Sequence, residues 1–155
     1  MSIKSTTPKL IIDIQYASPA IEAILREVAS PALIKKWVRT ATNRGGLLTL
    51  RFVNDAEGKK LNFNFRKKNY ATNVLTFPYE LTKHALVADI IFCLPVIQKE
   101  IRTQDKSLKA HLAHLIVHGC LHAQGFDHEV DKDAKKMEVL EVQILQNLGI
   151  TNPYE

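Results

Sequence analysis

Apolar and polar residues alternate along this chain with two different periods, and each change of period marks a new element. Leu10, Ile12, Ile14 and Tyr16 alternate with Ile11, Asp13 and Gln15. That period of two predicts a β-strand. Pro19 and Pro31 then open two stretches of helical period, with Ser18 and Ser30 placed to cap them. After Gly45-Gly46, Leu48, Leu50 and Phe52 alternate with Thr49, Arg51 and Val53 and predict a second strand. Asn54 or Asp55 begins a short helix reaching about Phe65, in which Gly58 costs about 1 kcal/mol. Two β-rich runs, 74–77 and 87–93, are bounded by Pro78 and Pro95. Helical stretches follow near 95–104, 107–124 and 131–148, the last stopped by Gly149.

Strands early and helices late, with no repeat, predict an α+β fold with about five or six helices. At 155 residues the chain is expected to form one domain over 1–155, large enough to bury roughly 70% of its unfolded surface. In the last helical stretch Ala134, Met137, Leu140, Glu141, Ile144, Leu145 and Leu148 fall at the spacing of a core stripe.

Composition narrows the setting. Two cysteines, Cys93 and Cys120, make no disulfide framework, which fits a reducing cytosol. The polar start and the absence of an apolar run of about 18 residues argue against a signal peptide or a membrane span. A cytoplasmic protein with no membrane partner is expected. Net charge is +5, but its placement says more: residues 35–68 hold ten Lys/Arg against Asp55 and Glu57. Clustered cations of this kind displace counterions from phosphates and point to a polyanion such as RNA, or else form a solvated face.

The chemistry concentrates in the eleven residues from His118 to His128. On a helix, side chains four apart share one face, so His118 and His122 can both aim a ring nitrogen at one ion. Gly125 tolerates the left-handed backbone that ends helices, and the turn it permits can bring His128 over that face as a third ligand. Three protein ligands leave a coordination position open, as in catalytic zinc sites, and such an ion brings the pKa of a bound water to about 7. His111 and His114 continue the stripe, but only the later pair is followed by Gly125 and His128. His114 is therefore expected to touch substrate or support a ligand. Asp127 either orients a ligand histidine or caps the turn. The spacing also matches the long metzincin protease pattern, except that Gly119 stands where the general-base Glu belongs.

The run His118-Gly119-Cys120-Leu121-His122-Ala123-Gln124-Gly125-Phe126-Asp127-His128 resembles the signature of the YbeY family of metal-dependent endoribonucleases. Leu61-Asn62, Arg66, the segment from Thr72 to Pro78, and Ala88-Asp89-Ile90 are similar to that family's other motifs, so the resemblance covers about residues 45–145. Departures are Phe65, Thr76, Ala88 and Phe126, for Tyr, Ser, Gly and Tyr. The resemblance implies a small mixed sheet of four strands with the metal helix packed beside it. It implies cleavage of single-stranded RNA in ribosomal RNA maturation, including the small-subunit 3′ end, and in ribosome quality control. The implied cofactor is one divalent ion, zinc, on His118, His122 and His128. Ribosomal RNA and ribosomal or pre-ribosomal particles are the implied partners.

Arg66 takes the catalytic or substrate-binding arginine's place by that resemblance, and a guanidinium can clamp two phosphate oxygens while charge accumulates on them. Lys67 and Lys68 are expected to contact phosphates, with His114 as a further substrate contact. Two rivals stand beside this reading: a metal-dependent amidase or peptidase, opposed by Gly119, and a non-catalytic RNA-binding assembly factor.

Overall fold

The computed structural model describes residues 9–126 and 130–155. Its elements run β1 (Leu10–Tyr16), α1 (Pro19–Val28), α2 (Pro31–Ala41), β2 (Gly45–Val53), α3 (Asp55–Arg66), β3 (Val74–Leu81), β4 (Ala85–Cys93), α4 (Leu94–Gln104), α5 (Leu108–Ala123) and α6 (Asp131–Asn147). The fold is α+β, with a four-stranded mixed sheet in the order β1-β2-β4-β3. β1, β2 and β4 are parallel, whereas β3 returns antiparallel on β4 as an edge strand.

The capping residues act as their chemistry demands. Ser18 and Ser30 side chains accept the Ile21 and Leu33 N–H groups, and Asn54 accepts that of Glu57. Strand β3 departs from the sequence expectation: it passes through Pro78 to Leu81 instead of stopping. Proline is tolerated because β3 lies at the sheet edge, and the register shifts between Pro78 and Glu80 just where the missing N–H would disturb the ladder.

Helix α5 runs through the main core, and ten of its sixteen residues are buried. A helix covered on so many sides loses the one-sided apolar stripe of a surface helix. Leu112, Ile116, Val117 and Cys120 pack with Leu86, Ala88, Ile90 and Phe92 of β4 and with Trp37 of α2. On the sheet's other side Val53, Leu75, Ile91 and Cys93 form a smaller cluster with Leu61 of α3 against it. Burial pushes the Cys120 thiol up to about 12 and the Cys93 thiol to about 11, so both are inert core groups. Gln124 anchors the C-terminal end of α5: its side chain donates to the Ala41 and Cys120 carbonyls and accepts from Arg44.

Candidate metal and phosphate site

The edge position of β3 opens a cleft of about 880 Å³ between that strand, the end of α3 and the histidine face of α5. His118, His122, His114 and Arg66 all line it. The sequence placed these residues in two segments about fifty positions apart; the fold brings them to one cavity.

Histidines 111, 114, 118 and 122 form a ladder along α5, with successive ring centroids 6.2 to 6.3 Å apart. Each rung is anchored by an oxygen, and His114 and His118 share one carboxylate. His122 Nδ1 lies 2.9 Å from the Phe126 carbonyl. A carbonyl only accepts, so Nδ1 carries the proton and the ring's lone pair sits on Nε2. That contact exists because Gly125, at φ +94°, turns the chain so that Phe126 folds back under the helix end. The turn expected from Gly125 is present, but His128 and Asp127 lie outside the described residues.

His118 Nδ1 is hydrogen-bonded to Glu141 Oε1, and His114 Nε2 lies 3.0 Å from Glu141 Oε2. Tyr154 donates its hydroxyl to the same Oε2. Glu141 is fully buried. Burial alone would raise its pKa, yet the hydrogen bonds from His114, His118 and Tyr154 outweigh that and bring it down to about 2. Tyr154 is raised in turn, first by burial and then by its bond to Glu141. The core stripe of α6 contained the clue to this residue: Glu141 follows Met137 and precedes Leu145 by one helical turn, and an acid on a buried stripe needs partners. Tyr154 had no comparable signal.

Ligand atoms of His114, His118 and Glu141 lie within 4.8 Å of one another, a donor set able to hold a metal ion. Imidazoles that donate Nδ1–H to an oxygen present Nε2 in the form a metal takes up, and His118 and His122 both have this arrangement. The residues present thus fit a divalent ion. His111 stands apart from this group. Its Nε2 meets Glu100 at 3.1 Å, and burial lowers its pKa. Asn73 bonds both oxygens of the same Glu100 at 3.2 Å.

Arg66 is the last residue of α3 and makes no ion pair or side-chain hydrogen bond among the described residues. The segment after it is held by Asn62, which is fully buried and donates to the Tyr70 carbonyl at 2.7 Å. Lys67 adopts the left-handed conformation at the helix cap. Lys67 and Lys68 are exposed and do not line the cleft. The basic segment as a whole is also less available than its count suggests. Arg51 is paired bidentately with Glu57, and Arg44 is bound to the Thr82 carbonyl and Gln124. From residues 35–68 only Arg66 lines the cleft among cationic side chains.

Gly119 acquires a physical reason. A Cβ there would sit 3.0 Å from Ile90 Cγ2 and 3.4 Å from Val74 Cγ1, so glycine lets α5 approach β4 and β3 closely. Gly119→Ala is expected to destabilise the fold by about 1–3 kcal/mol through overpacking. Denaturant titration checks this, and an unchanged midpoint would show that the helix and sheet part without cost.

A family model described as "Endoribonuclease YbeY" matches residues 8–149. A protein of Polynucleobacter asymbioticus named "Endoribonuclease YbeY" is 71% identical over 150 residues, covering 97% of each chain. One of the same name from a Janthinobacterium species is 49% identical over 148 residues, covering 94% of this chain and 95% of its own. A Thermotoga maritima protein solved in solution shares the fold, with a TM-score of 0.56 and 20% identity over 90% of this chain and 92% of that one.

Proposed function

The chain belongs to the YbeY endoribonuclease family, and we propose that it cuts single-stranded ribosomal RNA and its precursors with one zinc ion held by His118, His122 and His128. The observation that carries this reading is one cleft lined by an arginine without an ion pair among the described residues and by two histidines whose Nδ1 atoms are each anchored on an oxygen. The unit that does so is the single domain 1–155, working in the cytoplasm on ribosomal or pre-ribosomal particles. No described helix is long and apolar enough to cross a membrane.

Glu141 serves this site as an anchor rather than as a ligand. Both of its oxygens already accept from His118, His114 and Tyr154, and drawing them to an ion would strip those donors of partners. A bound divalent ion would supply Lewis acidity toward a phosphate oxygen and acidify water. Arg66 would clamp two oxygens of the scissile phosphate and meet the charge that builds on them. His114 would brace Glu141 at the cleft wall. Lys67 and Lys68 would hold flanking phosphates from outside the cleft. Gly119, packed against the sheet, puts no carboxylate where the metzincin pattern has its base.

Elemental analysis together with RNA cleavage tests the proposal. One metal per chain is expected in the purified protein, lowered by His118→Ala, His122→Ala or His128→Ala and unchanged by His111→Ala. Cleavage of a single-stranded RNA should stop with chelator and return with zinc, while peptides stay intact. Full occupancy in the His128 variant would end the three-ligand assignment, and cleavage that persists in chelator would end the metal reading.

A further inference from the structure

The end of α3 keeps large aromatic rings out of the core. Phe65 is 64% exposed, Phe63 50% and Tyr70 57%, and they surround Arg66-Lys67-Lys68. An exposed ring forgoes the free energy that burial would give a side chain of this size. Phe65 is nonetheless held in place. Its ring rests on Phe77, with centroids 4.6 Å apart and planes inclined by 55°. Phe77 packs on the smaller core cluster of Val53, Leu75, Ile91 and Cys93, so the exposed ring stands on a fixed base.

Position selects what such a ring is for. Phe65 and Phe77 line the same cleft as Arg66, His118 and His122. Phe65 also adjoins Arg66 in the chain, and Lys67 Nζ lies 5.9 Å from the neighbouring Phe63 ring. Rings interleaved with cations suit a single nucleic-acid strand: each cation takes a phosphate, and each ring takes the face of an unstacked base. A ring that lines a cleft beside Arg66, rather than standing on an open face, suits a base better than a protein or lipid surface.

We propose that Phe65, braced by Phe77, is the stacking platform for the nucleobase next to the phosphate held by Arg66. This rests on the RNA-cleaving reading above and deepens it. A base inside a duplex is already stacked on its neighbours and cannot also lie on Phe65. Selectivity for single strands then follows from the platform, because only an unpaired base reaches it without breaking a helix. The platform tolerates any base, since every base has a π-face.

The test pairs Phe65→Leu and Phe65→Tyr with a short labelled single-stranded RNA carrying an abasic ribose at each position in turn. Binding is followed by fluorescence anisotropy, with the RNA checked for integrity after each reading and the protein's fold checked by circular dichroism. Phe65→Leu is expected to weaken binding by roughly 5- to 100-fold, the worth of one stacked base. Phe65→Tyr should bind like the original. One abasic position should weaken the original protein by a similar factor and add nothing to the Phe65→Leu defect. If the original binds and cleaves RNA but the leucine variant binds equally well, or loses equally at every abasic position, the platform is wrong and the RNA reading stands. If the original neither binds nor cleaves single-stranded RNA, both fall.

Discussion

Replacing Arg66 by alanine is expected to cut the single-turnover rate of RNA cleavage by something on the order of 10² while changing RNA affinity only a few fold. The guanidinium lines the cleft with no ion pair to a carboxylate among the described residues. A planar, permanently charged group meets the charge that gathers on phosphate oxygens in the transition state more strongly than the charge already present in the bound substrate. Lys67→Ala and Lys68→Ala should behave in the opposite way. Phosphate contacts outside the cleft lower affinity for every sequence and flatten its salt dependence, each contributing roughly 0.7 to the log-log slope on single strands. Metal content should stay the same in all three variants. Binding and saturated single-turnover rates on one RNA decide the matter: an Arg66 variant that binds poorly yet cleaves at the normal rate would reduce Arg66 to an ordinary phosphate contact.

Glu141→Gln is expected to lower zinc affinity by about 10- to 100-fold, although no atom of Glu141 is assigned to the ion. The carboxylate now accepts from His118, His114 and Tyr154. A glutamine of the same shape has one acceptor oxygen, and its NH2 group faces a donor. His118 then loses either its orientation or its preference for the proton on Nδ1. Competition with a chromophoric chelator gives the affinity directly. Denaturation of the metal-free variant keeps the site separate from the fold. Loss of stability with unchanged zinc affinity would make Glu141 a core residue that merely touches a histidine. Tyr154→Phe should give a smaller change of the same sign, since it removes one of the three donors.

The order of magnitude of these two effects reflects where the residues act. In the proposed reading Arg66 would face the reacting group, whereas Glu141 would work through the ring it holds. His111 illustrates the contrast. It shares the stripe of His118 and His122, but at the other end of the ladder it is engaged by Glu100, which Asn73 holds in turn.

Much of the architecture was legible because it is local. The helix starts at Pro19 and Pro31 follow from serine hydroxyls that accept the first free N–H groups, and both caps form as their sequence implies. The pairing of His118 with His122 follows from helical rise alone, and the turn after it from glycine's freedom at positive φ. The end of β3 was harder to place. Proline stops a strand only where its missing N–H is needed, and whether a strand lies at an edge is settled by neighbours far along the chain.

The sequence by itself determined the α+β order of elements, the family signature and the two histidines one helical turn apart, since each depends on residues a few positions from one another. Tertiary structure alone decided which groups hold His114 and His118 and what shares their cavity. Glu141 and Tyr154 reach His114 and His118 only because α6 and the C-terminal segment pack beside α5. Arg66 joins them because β3, at the sheet edge, leaves the cleft open beside the end of α3. The basic run was divided the same way, with Arg51 and Arg44 drawn into contacts within the fold and Arg66 left to the cleft. Periodicity records the direction of a side chain from its own backbone. Partners brought from another element depend on packing, which no local pattern of residues encodes.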